Sequence, residues 1–231
     1  MTAVLLALVL FLGGDPTAAE RAYRAGRYQE AYELYREALA QPGAAAGEIL
    51  CNLGNCAYRL GRHAEAVLHY RRALLRLPGD RELSFHLHLA ERQLGTAAAD
   101  APAAPRWTHA VDRLPAAAVL ALVAGLQSLG LLALVFARGA AARILGAVFV
   151  GLGLALAGHR ARREWFPGPP EGVVLAPEIA LRAAPDPGLP PVLRLRAGEV
   201  VRIEERGPSW LRVRHDLVRG FTEPAGVGVV D

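Results

Sequence analysis

The chain has 231 residues, room for one or two domains, and 53% of them are apolar, with a mean hydropathy of +0.23; a membrane portion is therefore expected before any segment is read. All 26 basic residues are Arg, the imprint of a GC-rich genome, and they exceed the acidic residues by four. No basic stripe interleaved with aromatic residues accompanies that surplus, so nucleic acid is not an expected partner.

Residues 2–12, TAVLLALVLFL, form an apolar run followed by GGDPTAA. The run is too short for a membrane span of roughly 20 helical residues and matches the hydrophobic region of a signal peptide. It departs from that pattern in having no Arg or Lys before it. Residues 1–14 are thus expected to direct export. The alternative is a first helix, buried or at the surface, packed on the repeats.

From Ala22 the sequence says one thing twice. Residues 22–39 read AYRAGRYQEAYELYREAL and residues 57–74 read AYRLGRHAEAVLHYRRAL, identical at eleven of eighteen positions with a shift of 35. Each copy holds a helix-breaking Gly, Gly26 or Gly61, followed by Ala and Tyr at helical spacing (Ala31, Tyr35, Ala38; Ala66, Tyr70, Ala73). Helices are expected near 17–25, 28–40, 47–60 and 63–76, with Asp15 or Thr17 as cap and Pro16 in the first turn. Pro42-Gly43 and Pro78-Gly79-Asp80 close the two copies. A further stretch, Arg81 to Leu94, carries Leu83, Leu87, Ala90 and Leu94 on one stripe and is expected to cap the array.

Helix–turn–helix units at this period resemble tetratricopeptide repeats. The second copy has Leu53-Gly54, Ala57, Gly61, Ala66, Tyr70, Ala73 and Pro78 where that family places its signature residues. The first copy has Ala18-Ala19 in place of Leu-Gly, so its first helix is expected to be short or irregular. The resemblance implies an all-α repeat domain over residues 15–95 in which the first helix of each unit lines a concave groove. Aligned on Gly61, the groove residues are Cys51, Asn55, Tyr58 and Arg59 in the second unit, and Glu20, Tyr23 and Arg24 in the first. Arg binds carboxylates through two parallel hydrogen bonds and Tyr offers apolar area with a hydroxyl, which points to a peptide bearing a carboxylate. The alternative is a solvated face whose Arg residues pair with Glu20, Glu30 or Glu65.

Cys51 and Cys56, five apart on one helix, point roughly 140° away from each other. That suits no mutual disulfide, and C-x4-C with His63 is not a zinc spacing. His86 and His88 face different ways on the third stretch. No metal or cofactor is expected. Nor is an enzyme: Asp80, Ser84 and His86 lie on or beside one helix, and Ser209, His215 and Asp216 lack a nucleophile elbow.

Residues 96–113 form an Ala/Pro linker. Leu114 to Ala137 then gives 24 residues without a charge, and Ile144 to Gly158 a second apolar run made adequate by the preceding alanines with Arg143 snorkelling. Gln127 and Ser128 are placed to hydrogen-bond across helices, and Gly146, Gly151 and Gly153 to allow close packing. A transmembrane hairpin over 114–159 is expected, with a single span plus an interfacial helix as the alternative. Arg138 and Arg143 in the turn favour the cytoplasm, yet the basic connector 160–171 competes with them. The export reading decides for repeats outside, turn inside and C-terminus outside.

After Val173 helical periodicity gives way to short β-type runs at Val173–Leu175, Val192–Leu195, Val200–Glu204, Trp210–Arg214 and Val227–Val230, which predict a small β-barrel over 172–231. Leu181-Arg182-Ala183-Ala184-Pro185, Gly198 with Val200, Trp210-Leu211-Arg212-Val213 and Gly220-Phe221 resemble the motif order of bacterial SH3-like domains. The resemblance implies a ligand face at Trp210 and Phe221. The alternative places both in the core.

The order of parts resembles the BatE-type protein of bacterial aerotolerance operons, whose repeat phrase is matched by Cys51-Asn52-Leu53-Gly54-Asn55-Cys56-Ala57-Tyr58-Arg59-Leu60-Gly61. That resemblance implies a multidomain, non-enzymatic adaptor in the bacterial inner membrane with its repeat and SH3-like domains in the periplasm. It implies von Willebrand factor A-type Bat proteins and a MoxR-type AAA ATPase as partners. An envelope sensor binding peptidoglycan through the SH3-like domain is the alternative.

Overall fold

Gly-centred helix caps, repeated along the chain, set the architecture of the N-terminal part. The computed structural model describes residues 16–96, 114, 116–136, 138–165 and 168–231; the signal-like segment 1–14 and nearly all of the 96–113 linker lie outside the described residues. Helices α1 (Pro16–Arg24) and α2 (Tyr28–Leu39) form one antiparallel pair, and α3 (Ala46–Arg59) and α4 (His63–Arg76) the next. Helix α5 (Arg81–Leu94) comes after them.

Gly26 sits at φ +75°, where Arg27 N–H donates to Ala22 O and Gly26 N–H to Tyr23 O. Gly61, at φ +77°, repeats the arrangement with Arg62 to Ala57 and Gly61 to Tyr58. Only Gly adopts this left-handed cap without steric cost. Gly95 closes α5 in the same way, with Thr96 N–H on Glu91 O. Helix α5 therefore ends in the same kind of cap as α1 and α3. Its start is fixed by Asp80, whose side chain accepts from Leu83 N–H at 3.0 Å. That hydrogen bond gives Asp80 a capping role.

Between the pairs, size complementarity fixes the packing. A Cβ on Gly54 would stand 2.4 Å from Tyr70 Cε1, so the ring of α4 lies directly on the backbone of α3. The Tyr70 hydroxyl escapes burial cost by donating to Asn55 Oδ1 at 2.8 Å. Ala19 and Tyr35, the equivalents in the first unit, are both buried. Helix α1 is regular over its described length despite lacking the Leu-Gly pair.

The C-terminal residues form seven antiparallel strands: β1 (Glu171–Val174), β2 (Glu178–Arg182), β3 (Pro191–Arg196), β4 (Val200–Arg206), β5 (Leu211–His215), β6 (Val218–Thr222) and β7 (Val227–Val230). Their order is β3-β2-β6-β5-β4-β1-β7. The expected barrel is corrected to an open sheet, since no ladder joins β3 to β7. Two of the strands, β2 and β6, are additions to the five expected. Their patterns are broken by Arg182, Arg219 and Gly220, which carry little β signal. Inside the sheet, Val174, Leu181, Leu195, Val201, Ile203 and Val213 form a core of their own.

Domain limits drawn from the sequence separate 15–95 from 172–231, yet the two regions pack into one compact unit. Helix α4 lies against β1 and β7, and Val173 and Val230 join the buried cluster of the helices. Successive side chains of a strand point to opposite faces, so Val173 serves the helical core and Val174 the sheet core. Close approach again depends on Gly: a Cβ on Gly228 would meet Leu68 Cδ2 at 2.6 Å. Arg71 ties three elements together, bonding Glu91 of α5 at 2.8 Å and Glu171 of β1 at 3.0 Å. Arg72 donates to Val229 O at 2.9 Å and pairs with Asp231.

The second compact unit contains α6 (Ala116–Phe136) and α7 (Ala140–Trp165). They meet at Gly130 and Gly146, where a Cβ on either would lie 2.8 Å from the other's carbonyl oxygen. Gln127 packs over Gly153, whereas Gly151 faces open space. The stretches Ala117–Phe136 and Ala140–Arg162 are long and apolar enough to cross a membrane.

The packing of α4 leads to two measurements. Replacing Arg71 by Ala leaves Glu91 and Glu171 without their shared cation, and loss of charged hydrogen bonds costs roughly 1.5–3 kcal/mol. Chemical denaturation should show that loss, together with faster amide exchange in β1. The second concerns His69, which is buried and shares a 3.0 Å hydrogen bond with the Tyr32 hydroxyl. Burial, reinforced by the Arg72 guanidinium, lowers its pKa from 6.5 to about 4. The unfolded chain therefore binds a proton that the folded chain refuses, so stability falls as pH drops from 6.5 towards 4 and is constant in this respect above 6.5. Thermal midpoints between pH 7 and pH 5 should drop less for His69→Gln than for the parent chain.

Candidate groove of the helical repeats

The residues that open a site here belong to the first helix of each pair. A cleft of about 860 Å³ lies between α1 and α3, floored by Tyr35 and Ala38 of α2. Helix α1 contributes Glu20, Tyr23 and Arg24, one turn apart on one face, as the 3.6-residue repeat requires. Helix α3 contributes Glu48 and Asn52, and the Gln41–Ala45 turn closes one end.

Arg24 is engaged within its own helix, pairing with Glu20 one turn earlier, and both are exposed. An exposed pair of this kind contributes only about 0.3–0.5 kcal/mol and yields readily to a ligand. Glu48 makes no ion pair among the described residues. Tyr23 packs edge-on against Tyr28, ring centres 5.2 Å apart. Burial raises its pKa, opposed by the Arg59 charge. Burial pushes the Tyr35 phenol up to about 12, so it stays protonated as a donor beneath the cleft. The cleft thus offers two carboxylates, one committed guanidinium, two carboxamides and phenol rings.

The other expected groove residues stand elsewhere. Arg59 lies over the Tyr28 ring, 4.5 Å from its centre, and donates to the Tyr28 hydroxyl. Tyr58 packs on His63 at 5.1 Å, repeating 35 residues later the geometry of Tyr23 on Tyr28. Asn55 holds the Tyr70 hydroxyl. The duplicated Tyr-Arg pairs therefore do not share one channel: Arg24 borders the cleft, and Arg59 braces α3 against the start of α2. Glu48 and Asn52 join the site although the duplication gave no hint of them, since the aligned positions in the first unit are Gly13 and Thr17.

No group of three His, Cys, Asp or Glu side chains suited to a metal ion occurs among the described residues. Cys51 and Cys56 are free thiols. Burial raises them to about 11 and about 12, with Asp80 and Glu82 adding to the shift at Cys51. Neither is a thiolate at neutral pH, so neither is an activated nucleophile. On the sheet, Trp210 and Phe221 are both half-buried rather than core residues.

Residues 17–44 and 47–80 each match a family model described as tetratricopeptide repeat. The chain contains two tetratricopeptide repeats. Such repeats support a protein-interaction scaffold. No curated protein matches the sequence. Among solved structures, a chain of the "Crystal Structure of a T3SS complex from Aeromonas hydrophila" is 17% identical. The match covers 62% of this chain and 79% of that one at a TM-score of 0.33, which is too distant to bear on function.

The bracing role of Arg59 is testable. Arg59→Ala removes a cation–π contact, worth about 0.5–1 kcal/mol at an exposed site. It should lower thermal stability slightly while leaving ligands of the α1–α3 cleft unaffected in binding assays.

Proposed function

We propose that this protein is a membrane-anchored adaptor that holds an extended segment of a partner protein in its tetratricopeptide groove. The observation that carries this reading is the cleft between α1 and α3, built from duplicated helix pairs whose caps and small residues serve only to shape it. Extended peptides need apolar walls with a few placed hydrogen-bonding groups, and Tyr23, Asn52 and Tyr35 meet that need. The charges favour a segment carrying Lys, Arg or a free amine. Arg24 is paired with Glu20, which leaves Glu48 as the charge of the cleft with no ion pair among the described residues. A ligand carboxylate, which the Tyr-Arg pairs alone would suggest, finds no second guanidinium in the cleft.

Anchorage is supported by the exposure of α6 and α7. Only 11% and 17% of their most apolar windows are buried, leaving Leu120, Leu129, Val135, Phe136 and Ile144 bare. Apolar helices with such surfaces are at home in lipid rather than water. Two crossings return the chain to its starting side, which agrees with helices α1–α5 and the sheet sharing one compact unit. That agreement favours a full hairpin over one span plus an interfacial helix. With residues 1–14 as an export signal, the shared side is the periplasm.

The motifs at Leu181–Pro185, Gly198, Trp210–Val213 and Gly220-Phe221 support an SH3-like reading of the sheet, and the order of parts supports a Bat-type aerotolerance complex. In that complex the partners would be von Willebrand factor A-type Bat proteins or a MoxR-type ATPase.

Charge reversal separates the groove from the surface. Glu20→Arg with Glu48→Arg should reduce co-purification of partner from solubilised membranes about tenfold, the effect of about 1.4 kcal/mol. Asp186→Arg, on a remote sheet loop, should leave it unchanged. Equal recovery of partner with both variants would remove the groove as the docking site.

A further inference from the structure

Beyond the strands that α4 covers, the same face of the sheet carries a charge arrangement that the groove does not use. Arg202 of β4 stands opposite Arg214 of β5, which stands opposite Arg219 of β6. Three guanidinium groups thus form one cross-strand row, and like charges directly opposite one another destabilise a sheet. In the neighbouring row Arg212 and Arg182 flank Phe221, with the Arg212 guanidinium 5.9 Å from the ring centre. Glu204 is shared by Arg214 and Arg219 at 3.2 Å each and by Arg212 at 3.8 Å. Glu205 is 3.9 Å from Arg212, and Arg202 makes no ion pair among the described residues. Five arginines on this face therefore stand against Glu204, Glu205 and Glu171, the last opposite Arg202 but already bonded to Arg71, with Asp216 adding a fourth carboxylate at the end of the row.

Beside this row the β5–β6 turn projects Leu217, which is 98% exposed. Asp216 precedes it at φ +51°, a left-handed conformation that Asp tolerates better than most residues and that makes the tight turn. A bare Leu at the tip, beside Asp216 and with Arg214 and Arg219 a step behind it, presents an apolar point close to two cations. That combination is suited to the boundary between acyl chains and phosphate headgroups. Guanidinium groups bind phosphate through paired hydrogen bonds, and a bare Leu offers apolar area to acyl chains.

The chain itself indicates which anionic surface lies within reach. Glu171 begins β1 six residues after α7 ends at Trp165, a tether of at most about 20 Å. If α7 spans the bilayer, the sheet is held at its surface throughout. We propose that the Arg202–Arg214–Arg219 row and the Leu217 tip form a second membrane contact, specific for anionic phospholipid headgroups. The inference rests on reading α6 and α7 as the membrane anchor. It gives the sheet a task separate from the groove: to fix the face of the helical repeats relative to the lipid surface.

The test uses the full chain with Cys51→Ala, Cys56→Ala and Leu217→Cys, labelled at position 217 with an environment-sensitive fluorophore. It is reconstituted in phosphatidylcholine vesicles with and without phosphatidylglycerol. Retention of the chain through an alkaline carbonate wash reads the anchor independently of the probe. The expected result is full retention in both lipids, with a blue shift of probe emission only where phosphatidylglycerol is present. High salt should reverse the shift, since screening shortens the reach of surface charge. Arg202→Gln/Arg214→Gln/Arg219→Gln should abolish it, and the corresponding triple Lys variant should keep it in part. Retention with identical emission in the two lipids would overturn the proposal while leaving the anchor intact. A shift indifferent to salt and to the Gln variant would overturn it as well. Release by carbonate would instead overturn the anchor, and the proposal with it.

Discussion

Helix α4 is buried on both sides, and the rest of the molecule depends on that. Ala66, Val67, Leu68, His69 and Tyr70 are consecutive and all buried, which one amphipathic face cannot achieve. One side packs on α3, where Tyr70 fills the space left by Gly54. The other receives β1 and β7. Repeat arrays expose an apolar face at each end and need something to cover it. In this chain α5 covers part of that end and the sheet covers the outer side of α4. Arg71 secures both covers with a single side chain, through Glu91 and Glu171.

This constraint reaches into topology. The chain leaves the helical repeats, passes through two apolar helices and returns to contribute strands to the body it left. The proposed membrane hairpin, with two crossings, allows a return of that kind. The packing of α6 on α7 is set by close backbone approach at Gly130 and Gly146, which small residues allow. Helical repeats and sheet thereby belong to one compact unit rather than to two beads on a string.

Much of this was legible in the sequence. Gly26 and Gly61 marked their caps because only Gly relieves the strain of positive φ. Tyr70 and Gly54 marked helix pairing because one fills what the other vacates. The site was only half legible. Tyr23, Arg24 and Glu20 border the cleft, but duplication is a poor guide to function: Arg59 braces Tyr28, and Glu48 and Asn52 have no counterpart in the first unit. The sheet was under-read for a related reason. Arg182 and Arg219 sit in strands because their outward face tolerates charge, whereas strand signals come from apolar alternation. Docking of the sheet left one trace, the unbroken Ala-Val-Leu-His-Tyr run of α4, too apolar for a helix with an exposed face.

The central claim is that α4 and β7 touch. Leu68→Cys with Gly228→Cys places two thiols where a Cβ at 228 would lie 2.6 Å from the present Leu68 side chain. Mild oxidation of intact membranes, followed by mass spectrometry of linked peptides, reads the contact directly. Efficient formation of a 68–228 disulfide within one chain is the predicted result. Its absence, in a protein whose Leu217→Cys thiol still reacts with reagent from the same side, would show that helical repeats and sheet are separate bodies.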